Sequence, residues 1–222
     1  MEIKKINIKK IAQYCITNVL RTDTDKPGFV HLDFGNDLTS YKLRSIMVAL
    51  KEELSNFTTQ RFNSRLTYHW LVRFDQQVNT PFHLDNAEEQ SLLMLGYEPS
   101  EIKSELYLAD FFKYAKDSKA VPKEYIKEIT PIFKDDESLL ASYTTKVNPF
   151  YRDSYSIVLI NNSNPKSHSE MLGVFHKVII MTPDLNKSRI VNSMILNMLP
   201  KGEVNKNEPN EAEFLNTNAI SK

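Results

Sequence analysis

Apolar positions change their period several times along this chain. Ile3, Ile6, Ile11, Val19 and Leu20 recur at a loose helical spacing, and the stripe stops at "TDTDKPG", where Pro27 and Gly28 break it. "FVHLDF" then predicts a short strand. In "NDLTSYKLRSIMVALKEELSNF" the apolar residues Leu43, Ile46, Met47, Leu50 and Leu54 fall on one helical face, with Asp37 or Ser40 placed to cap it. Residues 65–74, "RLTYHWLVRF", alternate and are rich in aromatic and β-branched types, which predicts a strand. Tyr68, Trp70, Val72 and Phe74 share one face of it and read as core, with His69 and Arg73 on the other. "SLLMLGY" (91–97) is a second strand, ended by Gly96 and Pro99.

From Ser100 the period becomes helical. "SEIKSELYLADFFKYAKD" and "PKEYIKEITPIFKDDESLLASYTTKV", broken at Pro122 and Pro131, predict a mostly helical insertion over residues 98–146. Strand patterns return in "SYSIVLINNS" (154–163), "LGVFHKVIIMT" (172–182) and "SRIVNSMILNML" (188–199), separated by polar turns. Residues 200–222 are polar and aperiodic, so a mobile tail is expected after a single domain spanning 1–199. Helices, strands, a helical insertion and more strands suit an α+β, mainly β protein. Its strands would form a sandwich or jelly roll with helices packed on one side.

Composition narrows the function classes. The 28 basic and 28 acidic residues cancel, so no global field attracts nucleic acid or an anionic membrane; only a local patch such as Arg61, Arg65 and Arg73 could. No apolar run is long enough to span a bilayer, and no signal peptide is evident, so a cytoplasmic protein is expected. The single cysteine, Cys15, rules out an internal disulfide and fits a reducing compartment. It reads as a packed thiol.

Candidate chemistry lies in the histidines, of which there are five: His31, His69, His83, His168 and His176. The tripeptide HLD occurs at His31–Asp33 and again at His83–Asp85. An HxD pair offers one imidazole and one carboxylate to a metal, and a distant histidine can complete a 2-His-1-carboxylate set. His176 is the best third ligand, because it lies in an apolar strand where an unpaired ring is costly to bury. His168 sits in a polar turn. The second HLD follows one strand and precedes another, as a pair at the lip of a barrel would; the first reads as a strand running into a turn. HxD alone is a weak motif, and a surface turn also produces it. Arg189 begins the strand after His176 and, being permanently charged, needs an anion there. That anion is either a bound carboxylate or one of the chain's own acidic side chains.

Taken together, "LVRFDQQVNTPFHLDN", "LGVFHKVIIMTPD" and "SRIVNSMIL" resemble the core of the Fe(II)/2-oxoglutarate-dependent oxygenase superfamily, with the prolyl-hydroxylase-like branch nearest. The likeness spans most of residues 1–199. It implies a double-stranded β-helix (a cupin-like jelly roll) with supporting N-terminal helices. It also implies iron held by His83, Asp85 and His176, and 2-oxoglutarate held at its distal carboxylate by Arg189. The implied reaction is oxidative decarboxylation of 2-oxoglutarate by O2, coupled to hydroxylation of an organic substrate, either a small molecule or a protein side chain. Two departures stand out: Phe74 replaces a tyrosine common before the HxD, and Val191 replaces a serine common after the arginine. Asn192 or Ser193 could substitute for the latter. Tyr97 could add a phenol to the cosubstrate site or be a buried structural tyrosine. Other readings of the same residues are a cupin-type metalloenzyme that does not use 2-oxoglutarate and a non-catalytic β-sandwich binding module.

Overall fold

The computed structural model describes residues 1–86, 88–118, 130–165 and 171–221. Helix α1 (Ile8–Val19) is capped by Asn7, whose side chain accepts the Lys10 N–H, and buries Ile11, Ala12, Cys15 and Val19 on one face. Burial pushes the Cys15 thiol up to about 12, as befits an inert packed side chain. Strand β1 (Phe29–Asp33) leads to helix α2 (Ser40–Phe62). Thr39 caps α2, rather than the expected Asp37 or Ser40, and Asn63 ends it in the left-handed region at φ 52°.

Next come β2 (Ser64–Asp75), β3 (Ser91–Tyr97) and β4 (Ser104–Ala109), then helix α3 (Phe111–Asp117), a 3-10 helix (Glu137–Tyr143) and β5 (Thr144–Lys146). Strands β6 (Ser156–Asn161), β7 (Phe175–Ile180) and β8 (Ile190–Pro200) follow, and helix α4 (Glu211–Asn216) comes last. The strands form two antiparallel sheets, in the order β1-β6-β3-β8-β2 and β5-β4-β7. Every residue of β3 and β6 is buried, because one face of the larger sheet packs on the helices and the other on the smaller sheet. Leu32, Met47, Leu50, Met94 and Leu196 belong to the helix side. Leu95, Tyr97, Leu106, Val178, Val191 and Ile195 fill the space between the sheets. Gly96 lets α2 settle on β3, since a Cβ there would run into Met47.

Four expectations change. Among its described residues the insertion is not mostly helical: β4 is the centre of the smaller sheet, pairing with both β5 and β7. Leu106, Leu108, Phe111 and Phe112 satisfy a strand and a helix period equally, and the pairing partners decide. Residues 119–129, which carry the expected helix after Pro122, lie outside the described residues, as does His168. A β-bulge at His69 shifts the register between Tyr68 and Trp70. Tyr68 therefore faces the helices, while Trp70, Val72 and Phe74 face the inter-sheet space, where Trp70 remains 55% exposed.

The expected mobile tail instead packs against the fold. Asn210 caps α4, Phe214 is buried in the helix-side core, and Glu211 accepts the Tyr68 hydroxyl at 2.6 Å. Residue Ser221 pairs beside Phe74, so this segment covers the edge of β2. Lastly, Arg73 is no part of a surface patch; it is buried and paired with Glu98 at 3.0 Å. Among the described residues no helix is long and apolar enough to cross a membrane.

Candidate metal centre

Residues 79–84 run antiparallel along the free edge of β7. The Thr80 N–H donates to Val178 O (3.0 Å), and His83 and His176 exchange two backbone hydrogen bonds of 2.9 Å each. Pro81 interrupts this ribbon because it has no N–H to donate. Its carbonyl instead lies 2.9 Å from His83 Nδ1. Nδ1–H donating there leaves Nε2 facing Asp85, the nitrogen that bonds the carboxylate when protonated and can take a metal when it is not. The two imidazole rings lie 4.0 Å apart, centroid to centroid. His83 Nε2 is 3.5 Å from Asp85 Oδ1, and His176 Nε2 is 4.0 Å from Asp85 Oδ2. One donor atom from each of the three residues falls within 4.8 Å of the others, and they are the one such His/Cys/Asp/Glu group among the described residues.

Electrostatics fit a metal-binding set. Burial depresses His176 to about 4, against an opposing pull from Asp85, so its ring is neutral at pH 7. Burial also pulls His83 down, but hydrogen bonds to Asp85 and Pro81 outweigh it and hold His83 above its ordinary value. Burial pushes Asp85 up, yet the His83 hydrogen bond and the fields of both histidines keep it below the usual carboxylate range. Two imidazoles and one carboxylate are the donors a hard-to-borderline divalent ion such as Fe(II) takes.

Asn162 was not singled out in the sequence, yet it fixes Asp85. It accepts the Asp85 N–H at 2.9 Å and donates to Asp85 O at 3.1 Å, with a third bond to Ser91 Oγ at 2.9 Å. The signal available was the polar run "NNS" directly after an apolar strand. A cavity of about 420 Å³ opens from the two histidines and Asp85. Trp70, Phe74, Val78, Val178, Ser193 and Ile195 are among its walls.

Arg189 lies on the same side of β8 as Val191, Ser193 and Ile195, and so faces the space between the sheets. It is 3% exposed. Its guanidinium stacks on Tyr97 (5.0 Å) and Phe150 (4.9 Å), and Nη1 donates to Ile102 O at 3.3 Å. Among the described residues Nε and Nη2 have no hydrogen-bond partner, and neither has the Tyr97 hydroxyl, with Tyr97 1% exposed. Of the alternatives raised by the sequence, an internal acidic partner for Arg189 is not found among the described residues. Of the two substitutes for the missing serine, Ser193 lines the cavity, whereas Asn192 turns to the helix side and donates to Gly96 O and Glu98. Asp33 is a turn residue, accepting the Gly35 N–H at 2.9 Å.

No family model matches the sequence, and no curated protein matches it. Among solved structures, the chain is similar to a taurine dioxygenase from Burkholderia xenovorans. The likeness covers 88% of this chain and 83% of that one, at 10% identity and a TM-score of 0.47. That resemblance is too distant to carry a functional argument, and nothing in the comparisons supports the prolyl-hydroxylase-like branch.

Proposed function

We propose that this chain is a non-haem Fe(II)- and 2-oxoglutarate-dependent oxygenase. The observation that carries the reading is the pairing of two features in one inter-sheet space: a His-Asp-His donor set, and a buried arginine with an open edge. Nε and Nη2 together form the fork that takes a carboxylate bidentately. With Tyr97 and Phe150 packed against the guanidinium and Nη1 occupied, that fork is the part of Arg189 left for a ligand. A cupin-type metal site without an anionic cosubstrate gives no reason to bury it. The strand winding supports the same reading. Counting residues 79–84 as a strand, β2, β3, β6 and β8 lie in one sheet and 79–84, β4, β5 and β7 in the other, as in a double-stranded β-helix.

In this reading His83, Asp85 and His176 hold Fe(II), and Arg189 with Tyr97 binds the distal carboxylate of 2-oxoglutarate. Bound iron supplies oxidative decarboxylation of 2-oxoglutarate by O2 to succinate and CO2, with insertion of one oxygen into a substrate C–H bond. The chain itself positions and shields. Asn162 holds Asp85 in place, Pro81 fixes the His83 ring, and Val72, Phe74 and Val178 give the cavity apolar walls. Aerobic incubation with Fe(II) and 2-oxoglutarate should release succinate slowly even without substrate. His83→Ala should abolish that release, and unchanged release by the variant overturns the site assignment.

A further inference from the structure

Seven buried side-chain polar atoms lack a partner among the described residues, and four of them surround one phenylalanine ring. They are His31 Nε2, Tyr97 Oη, and Arg189 Nε and Nη2. The ring is Phe150, whose centroid lies 5.4 Å from that of His31, 4.2 Å from that of Tyr97 and 4.9 Å from Arg189 Cζ. Three polar side chains, on β1, on β3 and just ahead of β8, thus converge on a group that can satisfy none of their hydrogen bonds. Leaving such atoms unpaired is unfavourable, and native folds rarely cluster them.

His31 belongs to this group by its strand geometry. In β1, Val30 and Leu32 point to the helices, while His31 and Phe29 point to the inter-sheet space. Burial and the nearby Met1 amine depress His31 to about 4, so at neutral pH it is an uncharged ring that can offer one N–H. Phe150 itself is half-buried on the connection from β5 to β6, between exposed Pro149 and a Tyr151 that is 65% exposed. On its outer side lies a cavity of about 600 Å³, walled by Ile102, Lys146, Phe150 and Met181 among others, which has room for a displaced ring.

We propose that Phe150 is a displaceable plug in a carboxylate-binding cage, and that His31 is a third protein donor to the anion that Arg189 and Tyr97 hold. In the ligand-free protein Phe150 covers the guanidinium by a cation–π contact. When a carboxylate enters the Arg189 fork, the ring swings outward and His31 Nε2–H closes on the anion. This rests on the oxygenase reading for the identity of the ligand, 2-oxoglutarate, but the cage is testable without iron.

The test combines two titrations with a melting curve. Glutarate is titrated into metal-free protein, and 2-oxoglutarate into Mn(II)-loaded protein, for wild type, Phe150→Ala and His31→Phe. Phe150→Ala should bind both anions about fivefold more tightly and associate faster, because the plugged state no longer competes. His31→Phe should weaken both by roughly tenfold, the loss of one hydrogen bond to a charged group. Its ligand-free melting temperature should hold or rise, since an unpaired polar atom has been removed; a merely structural histidine would lower it. Unchanged affinities in both variants overturn the cage, as does a His31→Phe that only melts earlier. Glutarate binding that responds to the variants, without any 2-oxoglutarate complex at the metal, keeps the cage and defeats the oxygenase reading instead.

Discussion

Asn162→Ala separates holding the candidate metal ligand Asp85 from holding the fold. In the native chain Asn162 is 1% exposed and bonds both backbone groups of Asp85, at 2.9 and 3.1 Å. Truncation leaves an N–H and a C=O without partners, at about 1–3 kcal/mol each when fully buried. Asp85 is partly exposed, with 28% of its side chain accessible, so roughly 2–3 kcal/mol in all is the reasonable sum. In a chain of this length that lowers the melting temperature by roughly 5–10 °C. Freed from Asn162, Asp85 should also hold metal about 10–100-fold more weakly, the usual effect of losing a group that orients a ligand. Ser91→Ala is the control. Ser91 Oγ bonds Asn162 O at 3.0 Å and accepts from Asn162 Nδ2, but touches no metal ligand. It should cost stability while sparing the metal. Mn(II) binding followed by electron paramagnetic resonance, with melting curves on the same samples, reads both quantities. Equal losses of metal affinity in the two variants, or an Asn162→Ala that binds Mn(II) within twofold of wild type, refute the positioning role.

Three further outcomes follow from the same structure. Arg189→Met should stabilise the ligand-free protein by about 1–3 kcal/mol, because a buried unpaired charge is replaced by an apolar chain of similar length. It should weaken 2-oxoglutarate binding by at least about 100-fold, and urea unfolding and calorimetric titration check the two signs. Phe214→Ala should lower stability by about 3 kcal/mol, since the ring is 4% exposed and anchors the last helix; a mobile tail would show no loss on urea unfolding. The metal-free protein should lose stability on acidification between about pH 6.5 and 4. His31 and His176 have native values near 4, so the unfolded chain takes up protons across that window while the native one does not. Each contributes at most about 3 kcal/mol, and stability flat from pH 7 to 4 contradicts their burial as neutral rings.

Much of the fold, and the grouping of the candidate ligands, was legible in local sequence contexts. The cores of "SLLMLGY" and "SYSIVLI" are apolar at consecutive positions over a strand-like length, as suits a strand buried on both faces, and they lie in strands β3 and β6. His176 and Arg189 were conspicuous as polar residues in or beside apolar strands. What escaped depends on partners distant in sequence. Strand β4 fits two periods until β5 and β7 are placed beside it. The bulge at His69 inserts one residue without a sequence marker, and it turns Trp70 from core to cavity wall. The last segment is polar overall, yet buried Phe214 and the two bonds that Glu208 and Glu211 accept from Tyr68 help dock it. His31 shows the limit most clearly. Its tripeptide looks like that of His83, but its surroundings are a phenylalanine and unpaired donors rather than a second histidine.

The most direct measurement is anaerobic absorption spectroscopy of the protein with one equivalent of Fe(II), before and after adding 2-oxoglutarate. An oxygenase of this kind should develop a broad visible charge-transfer band on adding 2-oxoglutarate. The band should be absent in His176→Ala and should need about 100-fold more 2-oxoglutarate in Arg189→Met. Iron binding with no band in the wild type, or a band that survives the loss of His176, contradicts the assignment of His83, Asp85, His176 and Arg189 to one site.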